Sequence, residues 1–384
     1  MLDGIVVLGG APSSSSATWS REVTLERASL CAFRKTAMAL ATSSMHAAIP
    51  TRAVRGSTPA VTHARSTRAR TRVFARASVS ASGDDEIDAL NAAFAIKDSV
   101  RFARGNGGLP VALLTHKNGC TSTVYLFGAC VTSWTQKSGD EVLYVRPDAA
   151  FDKTKPIGGG APLCFPQFGP GAMQQHGFAR NCDWEVIGSS ADVNPDDPEP
   201  AVMLALKPND FTRSMWDEPF EATYEVTLRR EKLKMELCVK NTSKDKPIDF
   251  TAALHTYIEV TDCANSGVFA RGLMGKTYLD KNIDPINPPP RVQDHKDVFF
   301  GLELCDRIYL ETDPETLLYV GSGAAVAVEN TAGWTDTVVW NPHLTMKECY
   351  KNFCCIESAA VGKPVVVQPG KVWRGETNLS VIDV

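Results

Sequence analysis

Three features of the sequence predict an all-β fold, a large antiparallel β-sandwich. Short apolar–polar alternations recur along the chain. In the cleanest, Leu233, Met235, Leu237 and Val239 alternate with Lys234, Glu236, Cys238 and Lys240, and a period of two marks a half-buried strand. Turn-forming clusters separate the runs, among them Gly139-Asp140, Asn194-Pro195-Asp196, Gly321 to Gly323 and Gln368-Pro369-Gly370. Helical periodicity is scarce, with one short helix expected over 88–97.

From the N-terminus, charge divides the 384 residues, whose net charge is −4. Residues 1–83 hold eleven basic and three acidic residues, a balance of +8 that leaves −12 on 84–384. Between Arg27 and Gly83 there is no Asp or Glu, and Ala, Ser and Thr supply much of the rest. Such an Arg-rich, acid-poor segment reads as an organelle transit peptide without fixed structure, plastid-directed, with the mitochondrion as the alternative. Cleavage is expected near Arg76–Gly83. A basic nucleic-acid-binding arm is the competing reading. It is disfavoured because Trp19, Phe33 and Phe74 are the only large rings available for stacking, and the acidic body repels phosphate. Nucleic acid is therefore not an expected partner. No run reaches the roughly 18 apolar residues of a membrane-spanning helix, so a membrane is not expected either.

Residues 84–95 read as a linker and 96–384 as the sandwich domain, with a monomer favoured. Beyond 233–239, strands are expected at 111–115, 122–127, 142–145, 201–206, 220–230, 248–260, 317–320, 324–329, 337–340, 353–357 and 364–367. The stretch 282–298, with Pro285, Pro288, Pro289 and Pro290, reads as a surface excursion. Eleven cysteines without a CxxC pair indicate reduced, mostly buried thiols rather than a zinc ribbon. Asn241-Thr242-Ser243 matches the glycosylation pattern, but an organelle-directed chain does not meet that machinery.

Residues 156–186 break the strand pattern, with four prolines and six glycines in thirty-one positions. Proline removes backbone donors and glycine adds backbone freedom, so no regular element is expected there. Leu163, Phe165, Phe168, Phe178 and Trp184 call for burial, whereas Gln175, His176 and Arg180 call for polar partners. A rigid, half-buried loop of this kind suits a small-molecule site. Elsewhere His255 sits in the apolar run Phe250–Val260, Asp306 precedes Ile308 and Tyr309, and Glu357 ends Phe353-Cys-Cys-Ile. A buried imidazole or carboxylate costs free energy unless it is bonded, and each alone fits a structural role. Spacing alone does not bring the four together. Trp134, Trp216 and Trp340 are expected in the core, with Trp216 the best candidate for a cleft wall. His116, His295 and His343 are expected to be solvated.

Residues 96–384 resemble the aldose 1-epimerase superfamily, specifically its hexose-6-phosphate mutarotase (glucose-6-phosphate 1-epimerase) branch. The resemblance rests on Tyr125-Leu-Phe-Gly-Ala-Cys-Val-Thr-Ser-Trp134, Gly159-Gly-Ala-Pro-Leu-Cys-Phe-Pro-Gln-Phe-Gly169 with Gln175-His-Gly-Phe-Ala-Arg-Asn181, Leu254-His-Thr-Tyr257, Thr335-Asp-Thr-Val-Val-Trp-Asn-Pro342 and Cys355-Ile-Glu357. Gly272-Leu-Met-Gly-Lys-Thr-Tyr278 also fits. It implies a galactose mutarotase-like supersandwich with a sugar cleft, His255 and Glu357 as the catalytic acid and base, and Gln175, His176, Arg180 and Asp306 as substrate-binding residues. Interconversion of sugar anomers moves only protons, so no metal or organic cofactor is implied. A free-aldose 1-epimerase and a non-catalytic carbohydrate-binding protein are the alternatives. One departure bears on the choice. Relatives of this branch usually have an arginine for the sugar phosphate where this chain has Gly158, a loss that Arg146 or Lys155 would have to make good.

Overall fold

The computed structural model describes residues 70–73, 83–192 and 197–384. Of the segment expected as a transit peptide, 1–83, residues 70–73 and Gly83 are described and the rest lies outside the described residues. Arg70–Val73, expected without fixed structure, is instead a short strand at the edge of a sheet, paired with Glu185–Asp192.

Antiparallel pairing builds three sheets among the described residues. The largest runs, in spatial order, Arg70–Val73, Glu185–Asp192, Ala201–Leu206, Phe220–Arg229, Lys232–Asn241, Val372–Asp383, Ala324–Ala332, Glu315–Val320, Val268–Arg271 and Asp297–Phe299. The second runs Pro290–Val292, Thr277–Asp280, Cys305–Tyr309, Asp336–Asn341, Phe353–Val367, Ile248–Leu254 and Leu163–Cys164, and Tyr257–Glu259 also pairs with Phe353–Val367. A four-stranded meander over Val100–Arg104, Pro110–Thr115, Thr121–Tyr125 and Val131–Thr135 completes the set. One apolar cluster takes Tyr224, Val226, Leu237 and Val239 from the first sheet and Phe250, Leu254, Cys354 and Ile356 from the second. The two large sheets therefore share a core, the sandwich that alternation predicts.

Alternation in Phe353–Val367 has a further consequence. Cys354 and Ile356 enter the shared core, while Phe353 and Cys355 pack on the other face against Tyr257, Tyr144 and Trp340. Glu357 shares the parity of Phe353 and Cys355, so it lies on that second face. Burial on both faces explains why the run reads as continuously apolar.

The Gly/Pro segment is anchored by Phe165. Its fully buried ring meets Phe178, Trp216, Phe220 and Phe250 at centroid distances of 6.1, 5.7, 5.6 and 5.1 Å. Trp216 is thus half-buried in this aromatic cluster.

Other expectations also change. The expected linker 84–95 is a helix, Gly83–Phe94, rather than a tether. Leu90 and Phe94 fix it to the core, and Asn91 pairs with both the N–H and the carbonyl of Phe102 at 2.8 and 2.9 Å. The helix also starts and ends earlier than 88–97. Asp84, Asp85 and Glu86 sit favourably in its first turn, and Ile96 turns back to bond Val100. Residues 142–145 make only isolated bridges through Leu143 and Val145. The expected strands 353–357 and 364–367 are one strand. The excursion 282–298 carries two short strands, Pro290–Val292 and Asp297–Phe299. His116 is buried rather than solvated, with Nδ1 2.8 Å from Asn118 Oδ1, and His343 is half-buried. Asn241 is fully buried, its amide donating to the Lys246 and Val367 carbonyls. The ten described cysteines are free thiols, nine of them buried.

Phe165→Ala is expected to destabilise the fold by about 3–5 kcal/mol, because a large buried ring is removed and its neighbours cannot fully collapse. Urea unfolding measures it, and a loss under about 1 kcal/mol would contradict this anchoring role.

Candidate active site

His255 does not lie within a continuous strand. The ladder formed by Ile248–Leu254 stops at Leu254, opposite Ser358, and resumes at Tyr257, opposite Cys355. The register is the same on both sides of the gap, so His255 stands directly across from Glu357. In the gap the His255 N–H donates to the Pro162 carbonyl at 3.0 Å, within the Gly/Pro segment. One hydrogen bond thus ties that segment to the histidine's backbone. Cross-strand neighbours share a face, and His255 Nδ1 comes to 3.3 Å from Glu357 Oε1.

Both side chains are buried, at 8 % and 2 % relative exposure. Neither His255 Nδ1 nor Glu357 Oε2 has a hydrogen-bond partner among the described residues, and half-buried Arg180 has an unpartnered Nε. Buried polar atoms are nearly always satisfied, so three unsatisfied ones call for a polar guest. Burial pushes the Glu357 carboxyl well above its ordinary range, and the neighbouring Asp306 charge adds to this against Lys281 and Arg180. Burial also pushes His255 well below the imidazole range, followed by the charges of His176 and Arg180. Burial thus disfavours the charged form of each group in the empty site.

Aromatic rings fix the imidazole. Tyr257 stacks on it at 4.7 Å and 14°, and Trp340 meets it edge-on at 5.4 Å. His176 approaches at 5.6 Å from the Gly/Pro loop. His176 adopts a left-handed backbone with φ 65°, uncommon for a residue with a side chain. Two bonds to one glycine hold it there. The His176 N–H donates to the Gly169 carbonyl at 3.0 Å, and the Gly169 N–H donates to His176 Nδ1 at 3.2 Å. Burial lowers the His176 pKa to about 3. His176 Nε2 lies 3.2 Å from the side-chain amide nitrogen of the exposed Gln175. Arg180 NH2 donates to the Gln175 carbonyl at 2.8 Å.

Asp306 enters from the neighbouring strands, since Asp306 pairs with Trp340 and Trp340 with Cys355 in adjoining registers. Burial raises its pKa, opposed by Lys281, whose Nζ lies 3.2 Å from Asp306 Oδ2. Lys281 also stands 5.8 Å above the Phe168 ring.

The six residues singled out in the sequence therefore converge. His255, Glu357, His176 and Asp306 are linked by direct contact or charge, and Gln175 and Arg180 through His176. Sequence reasoning missed Lys281 and Tyr257. Lys281 follows the short strand Thr277–Asp280 with no motif to mark it. Tyr257 was legible only as part of His-Thr-Tyr.

Residues 110–380 match the family described as aldose 1-epimerase. This chain belongs to the aldose 1-epimerase family. A Cenchrus ciliaris protein described as "Putative glucose-6-phosphate 1-epimerase" is 33% identical over 290 residues, 72% of this chain and 85% of that protein. An Escherichia coli protein of the same description is 26% identical over 61% of this chain and 78% of its own length. Among solved structures, one described as a "putative mutarotase" from Salmonella typhimurium superposes with TM-score 0.66 at 23% identity, covering 76% of this chain and 96% of that one. A Lactobacillus acidophilus galactose mutarotase related enzyme gives 0.55 at 20% identity, covering 70% and 96%. These structures share the epimerase fold of this chain.

His176 and His255 are expected to remain neutral on acidification through the ordinary imidazole value near 6.5, as read from their ring nitrogen NMR shifts. A ring that protonates near that value would contradict the burial described.

Proposed function

We propose that this epimerase interconverts the α and β anomers of hexose 6-phosphates, with Glu357 as base and His255 as acid. The carrying observation is the contact between the two groups. O1 and O5 of a pyranose share one carbon, C1, so the groups that serve them must stand side by side. Two buried, unsatisfied groups 3.3 Å apart meet that need.

Glu357 takes the proton of the C1 hydroxyl while His255 gives one to the ring oxygen. The C1–O5 bond breaks and C1 becomes an aldehyde carbon. Rotation about C1–C2 presents the other face, and ring closure runs the same transfers backwards. In the empty site burial favours a protonated carboxyl beside a neutral imidazole. Moving that proton to the imidazole changes no net charge and produces the reactive carboxylate–imidazolium form. Ring opening then returns both groups to the neutral state that burial favours, so the site's electrostatics assist the transfer rather than oppose it. His176 and Gln175 are positioned to bond the ring-oxygen region, and Arg180, Asp306 and Lys281 to hold hydroxyls.

The relatives described as glucose-6-phosphate 1-epimerases support a phosphorylated hexose. The basic segment 1–83 further supports delivery to an organelle, taken here as the plastid. Removing the strand Arg70–Val73 with that segment would leave Glu185–Asp192 paired on its other side with Ala201–Leu206.

Glu357→Gln and His255→Asn are each expected to slow conversion of α- to β-glucose 6-phosphate by about 10²–10⁴-fold. Polarimetry or exchange NMR against an enzyme-free blank reads the rate. Rates unchanged in both variants for every aldose tried would overturn the assignment. Mass spectrometry of the native protein is expected to find its N-terminus between Arg76 and Gly83. A retained basic arm would contradict organelle processing.

A further inference from the structure

The three consecutive glycines at 158–160 are not equivalent. Gly159 has φ +120°, and a Cβ there would lie 2.5 Å from the Tyr144 carbonyl oxygen. Gly160 has φ +69°, and a Cβ there would lie 2.1 Å from the Val131 carbonyl oxygen. Neither position can carry a side chain. Gly158 has no such constraint. The nearest atoms to a Cβ there belong to the side chain of Arg146, whose Cδ, Nε and Cζ all lie at 3.5 Å. The backbone thus admits a side chain at 158, and Arg146 occupies that space.

The chain path fixes this arrangement. Val145 bridges to Gly159, and the Arg146 N–H donates to the Gly158 carbonyl at 2.9 Å. The Arg146 side chain is only 20 % exposed. Its Nε and NH2 pair with the two oxygens of Asp148 at 2.9 and 2.5 Å, and its charge also interacts with Tyr257. Tyr257 is the ring stacked on His255 at 4.7 Å. A guanidinium therefore stands one aromatic ring away from the group that faces the sugar's ring oxygen.

We propose that Arg146 is the specificity-determining residue that binds the phosphate of a 6-phosphosugar, from the space a side chain at 158 would otherwise fill. This rests on the function proposed above. C6 is attached to C5, the neighbour of the ring oxygen, so its substituent leaves the ring on the His255 side, away from O1 and Glu357. Tyr257 and Arg146 lie on that side. The carboxylate now on the guanidinium is easily displaced, because Asp148 is 57 % exposed and exposed ion pairs contribute little. A phosphate offers the same two-pronged geometry with more charge. Asp148 thus holds the fork in place until the phosphate replaces it. Lys155, the other candidate, is exposed.

The test is the ratio of kcat/KM for glucose 6-phosphate to kcat/KM for glucose. Arg146→Ala is expected to lower that ratio about 10–100-fold, the loss of charge-assisted bonds. Arg146→Lys, which keeps the charge without the fork, should fall in between. Adding Gly158→Arg to Arg146→Ala should recover part of the ratio. Asp148→Asn, which removes the competitor, should raise it. A merely structural Arg146 would lower both kcat/KM values together, and an unchanged ratio in Arg146→Ala and Asp148→Asn would overturn the proposal. Calorimetry with 1,5-anhydroglucitol 6-phosphate, compared with 1,5-anhydroglucitol, reads phosphate recognition without catalysis. Wild type inactive on both sugars but binding the phosphorylated analogue through Arg146 would refute the epimerase reading and keep this one. Wild type active on glucose 6-phosphate with an analogue affinity indifferent to Arg146 would do the reverse.

Discussion

Everything at the site depends on a gap of two residues in one β-ladder. Had the strand Ile248–Leu254 continued unbroken through Tyr257, the His255 N–H would have joined the sheet like any other. Instead it bonds the Pro162 carbonyl. The same-register resumption keeps His255 across from Glu357, and the parity of Phe353–Val367 turns both away from the shared core. A pair of ionisable groups is thereby held at fixed separation in surroundings that favour their neutral forms. Enclosure of this kind costs free energy in the empty protein, because unsatisfied buried polar atoms lose about 1–3 kcal/mol each. Stability given up at a site is expected where the polar partner is the substrate.

The Gly/Pro segment and the pair form one device. Phe165, locked among Phe178, Phe220 and Phe250, fixes the loop at one end. Gly169 fixes it at the other by bonding both the backbone and the ring of His176. Between them the loop supplies the Pro162 acceptor, the second imidazole and Arg180. Apolar packing thus decides where polar groups stand, a general condition for a preorganised site.

Legibility in the sequence followed the strength of the physical signal. Strands with clean alternation, such as Lys232–Asn241, or with an unbroken apolar run, such as Ala201–Leu206, were readable to within a residue or two. Cys305–Tyr309 was not, because Asp306 and Arg307 interrupt its apolar pattern; Glu185–Asp192, with Gly188, Ser189 and Ser190, was not either. The helix Gly83–Phe94 passed for a linker because its acidic first turn hides the two buried residues that dock it. His176, His255 and Glu357 were legible as polar residues out of place, and the family motifs joined them. Lys281 carried no such mark. Arg146 was one of two basic candidates until the space above Gly158 distinguished it.

A crystal structure with bound glucose 6-phosphate tests most directly whether one sugar carbon, C1, presents O1 to Glu357 and O5 to His255. The account predicts O1 within about 2.6–3.2 Å of a Glu357 oxygen and O5 within the same range of a His255 nitrogen. A sugar bound with C1 remote from the pair, or with both groups on other hydroxyls, would contradict it.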